Sequence, residues 1–124
     1  MIVGIGIDMI EVDRVLQKID GNLAFRRLVF SEQEIAFCDP KPNRGEHYAA
    51  RFAAKEAFLK ATGFGLTIGF ELAEIEVVHD DKGKPRFSLH GKTGERAVQH
   101  QWNNIHLSIS HVKSMACAVV IIEQ

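Results

Sequence analysis

The spacing of apolar residues changes several times along the chain, and each spacing predicts a different element. A short continuous apolar run is typical of a buried strand, whereas apolar positions three and four residues apart are typical of an amphipathic helix. Ser31 followed by Glu34 adds a capping-box signature, and Gly63 follows the most helical segment as a left-handed cap. The predicted strands are 2–7, 72–79, 86–90, 105–111 and 115–123, and the predicted helices are about 10–19, 23–29, 31 to before Pro40, 46–62 and 92–102.

This order of elements predicts an α+β fold, with a mainly antiparallel sheet packed against helices and one long central helix at 46–62. No repeat, low-complexity tract or Ser/Gly linker divides the chain, so residues 1–124 are expected to form a single domain. A chain of 124 residues with 46% hydrophobic residues can bury roughly two-thirds of its unfolded surface. It therefore needs neither a disulfide nor a structural metal to stay folded.

Charge and composition exclude several classes of protein. The 15 Lys and Arg residues nearly balance the 16 Asp and Glu residues, and a net charge of -1 is unlike that of a basic nucleic-acid-binding domain. The longest apolar stretch, 115–122, is shorter than the roughly 20 residues of a membrane span, and the first residues lack the charged region of a signal peptide. Cys38 and Cys117 lack zinc-site or redox-motif spacing. We therefore expect a cytoplasmic protein with reduced cysteines.

Carboxylates at two positions are candidates for chemistry. Asp8 ends the first predicted strand, at a sheet edge where ligands gather. From this position alone, a cap for the helix that follows explains Asp8 better. Glu56 and Lys60 are four residues apart on the long helix, beside an apolar stripe where a ligand could dock. On spacing alone, an ordinary surface ion pair explains them equally well.

Basic groups at three places are candidates for binding a charged partner. His111 ends the strand 105–111, where a half-buried histidine without a ligand is the commoner outcome. The loop 82–86 carries two lysines and an arginine around Gly83, and it suits a phosphate or a plain solvated hairpin equally. The third is a basic helical face, whose charges could also be ordinary solvated residues of a helix surface. Phe25 could be an apolar anchor for a partner on this face, but a core aromatic is the simpler explanation. The charged residues of this face are Arg14, Lys18, Arg26 and Arg27.

Four short motifs occur along the chain: Gly-Ile-Gly-Ile-Asp at 4–8, Arg-Phe-Ala-Ala-Lys-Glu-Ala at 51–57 with Lys60 and Gly63 behind it, Gly-Lys-Pro at 83–85, and Ser-Ile-Ser-His at 108–111. Taken together and in this order, they resemble the motifs of the bacterial holo-[acyl-carrier-protein] synthases, the short class of 4′-phosphopantetheinyl transferases. The resemblance covers nearly the whole chain. Its most specific part is the early Gly-x-Asp combined with the later Arg-Phe-x-x-Lys-Glu-Ala.

The resemblance implies that the protein binds coenzyme A and Mg²⁺ and transfers 4′-phosphopantetheine to a serine of apo acyl carrier protein, releasing adenosine 3′,5′-bisphosphate. It also implies a role in fatty acid and lipid biosynthesis, and a homotrimer whose active sites are shared between neighbouring subunits. By the same resemblance, Asp8 and Glu56 hold the metal and Lys60 lies near the phosphates. The residues implied to lie near the nucleotide are Arg51, Lys60, Gly83, Lys84, Pro85 and His111.

The chemistry of these residues agrees with the resemblance. Mg²⁺ accepts one or two carboxylates together with substrate phosphates and water, and Asp8 and Glu56 supply that number. A cation must stabilise the charge on the leaving phosphate, which is the role we expect of Lys60. The serine proton could pass to a water on the metal or to Glu56, and the residues do not choose between them.

Further expectations concern assembly and the carrier. The apolar strands 105–109 and 116–122 exceed what one side of a sheet needs, which predicts a partner and hence a trimer. An acidic acyl carrier protein is expected to dock on the basic helical face. Two alternatives use the same residues: a metal-dependent nucleotide pyrophosphohydrolase, and a non-catalytic nucleotide-binding protein.

Overall fold

Residues 1–65 and 69–124, the part of the chain that the computed structural model describes, form five α-helices, one 3₁₀ turn and five strands. No helix among these residues is long and apolar enough to cross a membrane. In chain order the elements are β1 (Ile2–Glu11), α1 (Val12–Gly21), α2 (Leu23–Val29), α3 (Glu32–Cys38), α4 (Arg44–Thr62), the 3₁₀ turn (Leu72–Glu74), β2 (Ile75–His79), β3 (Pro85–Leu89), α5 (Gly91–Gln99), β4 (Asn104–His111) and β5 (Met115–Glu123).

The strands form two antiparallel sheets. β1, β5 and β4 make a three-stranded sheet in that order, and β2 pairs with β3 in a two-stranded hairpin. β1 pairs with β5 over nearly its whole length, from Ile2 opposite Glu123 to Glu11 opposite Met115. The helix α4 packs against β1, β4 and β5 and lies at the centre of the fold. The predicted α+β fold with antiparallel sheets and one long central helix is confirmed.

Two glycines bring α4 close to β1. A Cβ atom added to Gly4 would lie 1.9 Å from the carbonyl oxygen of Ala61, and one added to Gly6 would lie 1.9 Å from that of Ala57. Only glycine at these two strand positions therefore permits the observed packing of helix on strand. Asp8 is the next residue on the same face of β1, so its side chain points towards α4.

Helix ends follow the predictions in α2, at both ends of α3 and at the C-terminus of α4. The observed bounds of α2 are those predicted for it. The Ser31 hydroxyl accepts a hydrogen bond from the backbone N–H of Glu34, and the Glu34 carboxylate accepts one from the backbone N–H of Ser31, which confirms the capping box. α3 ends at Cys38, before Pro40 as predicted. Gly63 ends α4 in the left-handed conformation, with φ of 78°.

The first strand is longer than predicted, and this corrects the interpretation of Asp8. β1 continues to Glu11 because pairing with β5 satisfies the backbone groups of residues 8–11. α1 begins only at Val12, and the side chain of the preceding Glu11 makes no capping hydrogen bond. Asp8 therefore lies inside a strand, opposite Ala118, and the prediction that it ends the strand or caps a helix is wrong.

Three other boundaries also differ from the prediction. Leu72–Glu74 forms a 3₁₀ turn instead of the start of a strand, and β2 begins at Ile75 where pairing with β3 begins. Pro85 was predicted to belong to the turn, but it pairs with His79 as the first residue of β3. α5 ends at Gln99, three residues earlier than predicted.

The face of the three-stranded sheet that does not contact α4 is apolar and open in the single chain. On β1, Ile5, Ile7 and Met9 are 63%, 59% and 66% exposed. On β5, Val119 and Ile121 lie opposite Ile7 and Ile5 and are half-buried. Surplus apolar surface was predicted for the last two strands, but most of it lies on β1, whose outward residues are apolar from Val3 to Met9.

Candidate functional site

An acidic and a basic side chain meet where β1 passes the C-terminal half of α4. The Lys60 ammonium donates one hydrogen bond to Asp8 Oδ1 at 3.1 Å and another to the carbonyl oxygen of Ile7 at 3.1 Å. The Lys60 side chain is 57% exposed and the Asp8 side chain 15% exposed, so the pair opens to solvent from the Lys60 side. The fold thus joins two candidates that are 52 residues apart in the sequence.

Glu56 adds a second carboxylate to this pair. It lies one helical turn before Lys60 and is half-buried. Burial raises the pKa of Glu56, the negative charge of Asp8 raises it further, and the charges of Lys60 and Lys18 oppose this shift. We call Asp8, Glu56 and Lys60 the carboxylate site. The cleft beside it is lined by Glu56, Leu59, Lys60, Gly63 and Gly65.

The donors of the carboxylate site suit a hard divalent cation. Glu56 is half-buried and lies near the negative charge of Asp8, an arrangement that a cation relieves. Among residues 1–65 and 69–124, no group of three or more His, Cys, Asp or Glu side chains could hold a metal ion. Asp8 and Glu56 could therefore supply only part of a coordination shell. Mg²⁺ is bound in this way, with phosphate oxygens and water completing the shell.

Lys55, which precedes Glu56 in the sequence motif, turns into the core instead. Its ammonium donates hydrogen bonds to Glu34 Oε1 at 2.8 Å and to the carbonyl oxygens of Leu72 at 2.8 Å and Ile75 at 2.7 Å. Burial lowers the pKa of Lys55, and the charge of Glu34 opposes this shift. The side chains of the pair are fully buried. This lysine therefore ties α3, α4 and β2 together and is not available to a ligand.

A second group of candidates surrounds the ring of Phe37. Arg51 is 3% exposed, and its guanidinium carbon lies 4.4 Å from the centre of this ring. The Lys41 ammonium lies 4.5 Å from the same ring. The His79 ring stacks on Phe37 at 5.3 Å, and the His47 ring meets it edge-on at 5.6 Å. We call these five residues the Phe37 cluster.

The Phe37 cluster is cationic. Burial lowers the pKa of both His47 and His79, and the charges of Arg51 and Lys41 lower both further. Within the described part of the chain, no carboxylate forms an ion pair with Arg51. A buried charge without a partner is costly, so this arrangement favours an anionic ligand.

His111 lies beside the Phe37 cluster. Its Nδ1 donates to Glu46 Oε1 at 2.9 Å, and its ring centre lies 5.5 Å from that of His47. The hydrogen bond from His111 lowers the pKa of Glu46. The strand alternation places His111 on the face of Leu107 and Ile109, at the exposed end of β4.

The Gly-Lys-Pro turn adjoins the same cluster. Asp80 accepts a hydrogen bond from the backbone N–H of Lys84 at 2.9 Å, and this bond lowers the pKa of Asp80. Gly83 has φ of 82°, a conformation that favours glycine. Because Pro85 pairs with His79, the base of the turn lies next to Phe37, and Lys84 is exposed near its tip.

The predicted site residues thus form two groups within one chain. The carboxylate site holds Asp8, Glu56 and Lys60, whereas Arg51 and His111 lie in or beside the Phe37 cluster. Successive α-helical residues are about 100° apart, so Arg51 and Glu56 project from sides of α4 that differ by roughly 140°. The two groups therefore do not converge on one centre within a single chain.

The basic helical face lies near the carboxylate site at one end. Arg14 and Lys18 are exposed one turn apart on α1. Lys18 is close enough to Glu56 for its charge to lower the pKa of that residue. The Lys18 ammonium lies 5.7 Å from the centre of the Phe25 ring. This ring packs against the hydrophobic core, which agrees with the simpler explanation of Phe25 as a core aromatic.

The other two residues of this face differ from each other. Arg26 donates to both carboxylate oxygens of Asp39 at 3.2 Å, so its charge is already paired. Arg27 is exposed and forms no ion pair within the described residues. Arg14, Lys18 and Arg27 therefore present the free charge of the predicted carrier surface.

Sequence reasoning missed most of the Phe37 cluster and the partner of Lys55. Helical spacing could have identified His47, which lies four residues before Arg51 on α4. The remaining members come from α3, β2 and the loop before α4, and Glu34 reaches Lys55 from α3. No local pattern signals contacts between separate elements.

Comparison with known proteins agrees with these motifs. The family model described as the 4′-phosphopantetheinyl transferase superfamily matches residues 4–120 of the chain. The chain is 44% identical over 126 residues to the holo-[acyl-carrier-protein] synthase of Syntrophus aciditrophicus, and the match covers 99% of this chain and 97% of that relative.

Solved structures are similar over nearly the whole fold. The holo-[acyl-carrier-protein] synthase of Neisseria meningitidis has a TM-score of 0.90 and 31% identity, and the match covers 100% of both chains. The holo-(acyl-carrier-protein) synthase of Bacillus anthracis in complex with CoA (3′,5′-ADP) has a TM-score of 0.80 and 37% identity, with 98% of this chain and 96% of that chain covered.

Proposed function

The chain belongs to the holo-[acyl-carrier-protein] synthase family of 4′-phosphopantetheinyl transferases, and we propose that it transfers 4′-phosphopantetheine from coenzyme A to a serine of an apo acyl carrier protein. It is an enzyme of the transferase class. Because loaded carrier proteins hold growing acyl chains, we assign it to fatty acid and lipid biosynthesis. The observation that carries the proposal is the convergence of Asp8, Glu56 and Lys60 beside an open cleft.

The proposed reaction is a phosphoryl-type transfer. The oxygen of the carrier serine forms a bond to the β-phosphorus of coenzyme A, and the bond from that phosphorus to the bridging oxygen breaks. Adenosine 3′,5′-bisphosphate leaves with the electron pair, and the serine loses its proton to a base. Catalysis of this kind depends on positioning and on stabilising negative charge.

Asp8 and Glu56 would hold Mg²⁺ in this reaction. The fit rests on their proximity, since the charge of Asp8 adds to burial in raising the pKa of Glu56. It also rests on the open side of the site, which leaves room for phosphate oxygens. When bound, Mg²⁺ would withdraw charge from the pyrophosphate oxygens. Asp8 and Glu56, as the residues that hold the ion, would set where the pyrophosphate lies relative to the serine.

Lys60 and Glu56 have further proposed roles. The Lys60 ammonium makes two hydrogen bonds to the described residues, so one of its three N–H groups remains to stabilise the leaving phosphate. Glu56 lines the cleft beside Lys60 and lies near Asp8, so its carboxylate borders the space where the serine must bind. We therefore propose Glu56 as the group towards which the serine proton moves.

We propose a homotrimer with shared active sites. The carboxylate site and the Phe37 cluster lie on different sides of α4, so one coenzyme A contacts both only if they come from neighbouring chains. The exposed apolar face formed by Ile5, Ile7 and Met9 supplies a surface for such an assembly. A head-to-tail contact that closes after three subunits would join each carboxylate site to a partner's Phe37 cluster.

Complementation between two inactive variants tests site sharing. Glu56→Gln removes the carboxylate site and Arg51→Ala removes the nucleotide end, so each variant alone should have little activity. In mixed trimers, some interfaces combine an intact Glu56 with an intact Arg51, and the mixture should recover part of the wild-type rate. No recovery after verified subunit exchange, or a monomer by light scattering, would contradict sharing.

Intact mass spectrometry tests the transfer itself. Apo acyl carrier protein is incubated with coenzyme A, Mg²⁺ and the enzyme, and the carrier should gain the mass of phosphopantetheine as adenosine 3′,5′-bisphosphate appears. Chelation of Mg²⁺ or the Asp8→Asn substitution should prevent the gain. Nucleotide cleavage without a gain would indicate a pyrophosphohydrolase, and no product at all would indicate a binding protein.

The carrier surface has its own test. Arg14 and Lys18 lie near the carboxylate site, so an acidic carrier docked on them brings its serine towards Asp8 and Glu56. Rim charges chiefly affect association. Arg14→Glu should therefore raise KM for the carrier, weaken the salt dependence of the rate and leave coenzyme A binding unchanged. An equal loss in coenzyme A binding would refute this surface.

A further inference from the structure

We infer that Phe37 is a positioning residue that holds the Arg51 guanidinium where a phosphate of coenzyme A binds. The inference rests on the proposed function, because it assumes that Arg51 contacts this substrate. The observation that carries it is the position of two cations over one ring: Arg51 lies 4.4 Å and Lys41 lies 4.5 Å from its centre. No carboxylate among residues 1–65 and 69–124 forms an ion pair with either of them.

The hydrogen bonds of Arg51 do not fix its position. Its Nη1 donates to the carbonyl oxygen of His47 at 3.3 Å, a long and weak bond. Its Nε is buried and has no hydrogen-bond partner among the described residues. A guanidinium that is 3% exposed and so weakly bonded needs another contact to define its orientation, and the face of Phe37 provides that contact.

Phe37 is itself held in place by two histidines. The His79 ring stacks on it with 25° between the planes, and the His47 ring meets it at 79°. His79 is the last residue of β2 and His47 belongs to the first turn of α4, so three separate elements fix the ring. The ring is nevertheless 36% exposed, which is unusual for a residue whose role is only to fill the core.

A positioning role for Phe37 can be distinguished from a simple packing role, because it affects the binding of coenzyme A alone. Without the ring, Arg51 keeps its charge but loses its orientation, so the affinity for coenzyme A falls while the chemistry at Asp8, Glu56 and Lys60 proceeds unchanged. The carrier surface lies on α1 and α2, which do not contribute to the Phe37 cluster, and it is unaffected. A contact over an aromatic face accounts for a change of about 3- to 30-fold in affinity.

The test compares Phe37→Leu with Phe37→Tyr in the full trimer. Phe37→Leu should raise the coenzyme A dissociation constant, measured by titration calorimetry, and its KM by about 3- to 30-fold. The value of kcat, KM for the carrier and the melting temperature should stay close to wild type. Phe37→Tyr keeps the ring and should restore coenzyme A binding. Equal losses in both variants, or a loss shared by kcat and the carrier KM, would overturn the inference.

Arg51→Ala separates this inference from the proposed function. If Arg51 binds coenzyme A through the orientation given by Phe37, the effect of Phe37→Leu should be smaller in the Arg51→Ala background than in the wild type. If Arg51→Ala raises the coenzyme A dissociation constant and Phe37→Leu does not, Phe37 is not a positioning residue and the proposed function stands. If Arg51→Ala changes nothing, the assignment of Arg51 to the nucleotide fails, and the inference fails with it.

Discussion

Two lysines of α4, five residues apart, have opposite environments. Lys55 is completely buried, donates three hydrogen bonds and faces a buried carboxylate, Glu34. Lys60 is 57% exposed and shares a half-open site with Asp8. Both belong to one short motif, and both are paired with a carboxylate from another element.

The difference shows that the role of an ion pair, structural or functional, depends on how many other groups of the protein bond to it and on whether a ligand has access. All three N–H groups of Lys55 are used, so the pair joins three elements and has nothing left to offer a ligand. Lys60 keeps part of its hydrogen-bonding capacity and lies beside a cleft, where a phosphate can replace or join Asp8. Substitutions at the two positions should therefore separate stability from activity.

Removing the buried lysine should have the largest effect. Lys55→Met leaves Glu34 charged and unpaired in the core, and we expect the free energy of unfolding to fall by about 3–5 kcal/mol. Urea denaturation at fixed protein concentration measures it. The double variant Lys55→Met/Glu34→Gln removes the buried charge and should recover part of the loss. A decrease below about 1 kcal/mol in the single variant would show that the pair is not needed for stability.

Removing the exposed lysine should affect catalysis instead. Lys60→Ala should lower kcat by about 10²–10³-fold, since a donor to the leaving phosphate is lost. The free energy of unfolding should change by no more than about 1 kcal/mol, the usual range for a solvent-exposed pair. The control is Lys92→Ala, an exposed lysine on α5, which should change neither quantity. A large stability loss in Lys60→Ala would remove the contrast with Lys55.

Glu56 sharpens the comparison because its charge should lower the stability of the fold, whereas its carboxylate should be necessary for activity. Glu56→Gln should raise the Mg²⁺ concentration that gives a half-maximal rate by at least about 10–100-fold. That is the usual loss of metal affinity when a residue that only hydrogen-bonds to a metal ligand is removed. Because burial and Asp8 raise the pKa of Glu56, its charge disfavours folding near neutral pH, and the variant should be no less stable than wild type. Titration of the rate with Mg²⁺ and urea denaturation together check both statements, with Glu95→Gln on α5 as control.

The smallest expected effect concerns a second carboxylate near Lys55 and depends on pH. Glu76 is 5% exposed; burial raises its pKa, but hydrogen bonds from Ser31 and His90 lower it more, so the net shift is downward from 4.5. Its stabilisation is therefore complete above about pH 4.5 and is lost as pH falls through the lower folded value. His90→Ala should lower the free energy of unfolding by about 1 kcal/mol above that pH, and less below it.

Unfolding curves between pH 3 and pH 7 measure this dependence. Glu76→Gln serves as the comparison, because an amide cannot titrate and the variant should lack this part of the acid dependence. If His90→Ala differs from wild type by the same amount at every pH, the hydrogen bond from His90 does not act through the ionisation of Glu76.

Local patterns predicted the elements well wherever local energetics decide them. The capping box at Ser31 and Glu34 and the left-handed Gly63 were predicted, since each is settled within a few residues. The end of β1 was not, because strand pairing with β5 outweighs the helical spacing that begins near residue 10. Asp8 was consequently assigned to a strand end, whereas it lies inside β1 and accepts a hydrogen bond from Lys60.

The sequence by itself determined the fold class, most of the element order and the residue types of the site, because spacing, caps and motif residues are local properties. Only the tertiary structure decided which charged residues are used for packing and which remain open, as Lys55 and Lys60 show. It also decided that Arg51 rests on Phe37 and that Glu56 faces Asp8. These contacts join elements far apart in the chain, and their energies depend on burial and on neighbouring charges that no local pattern contains.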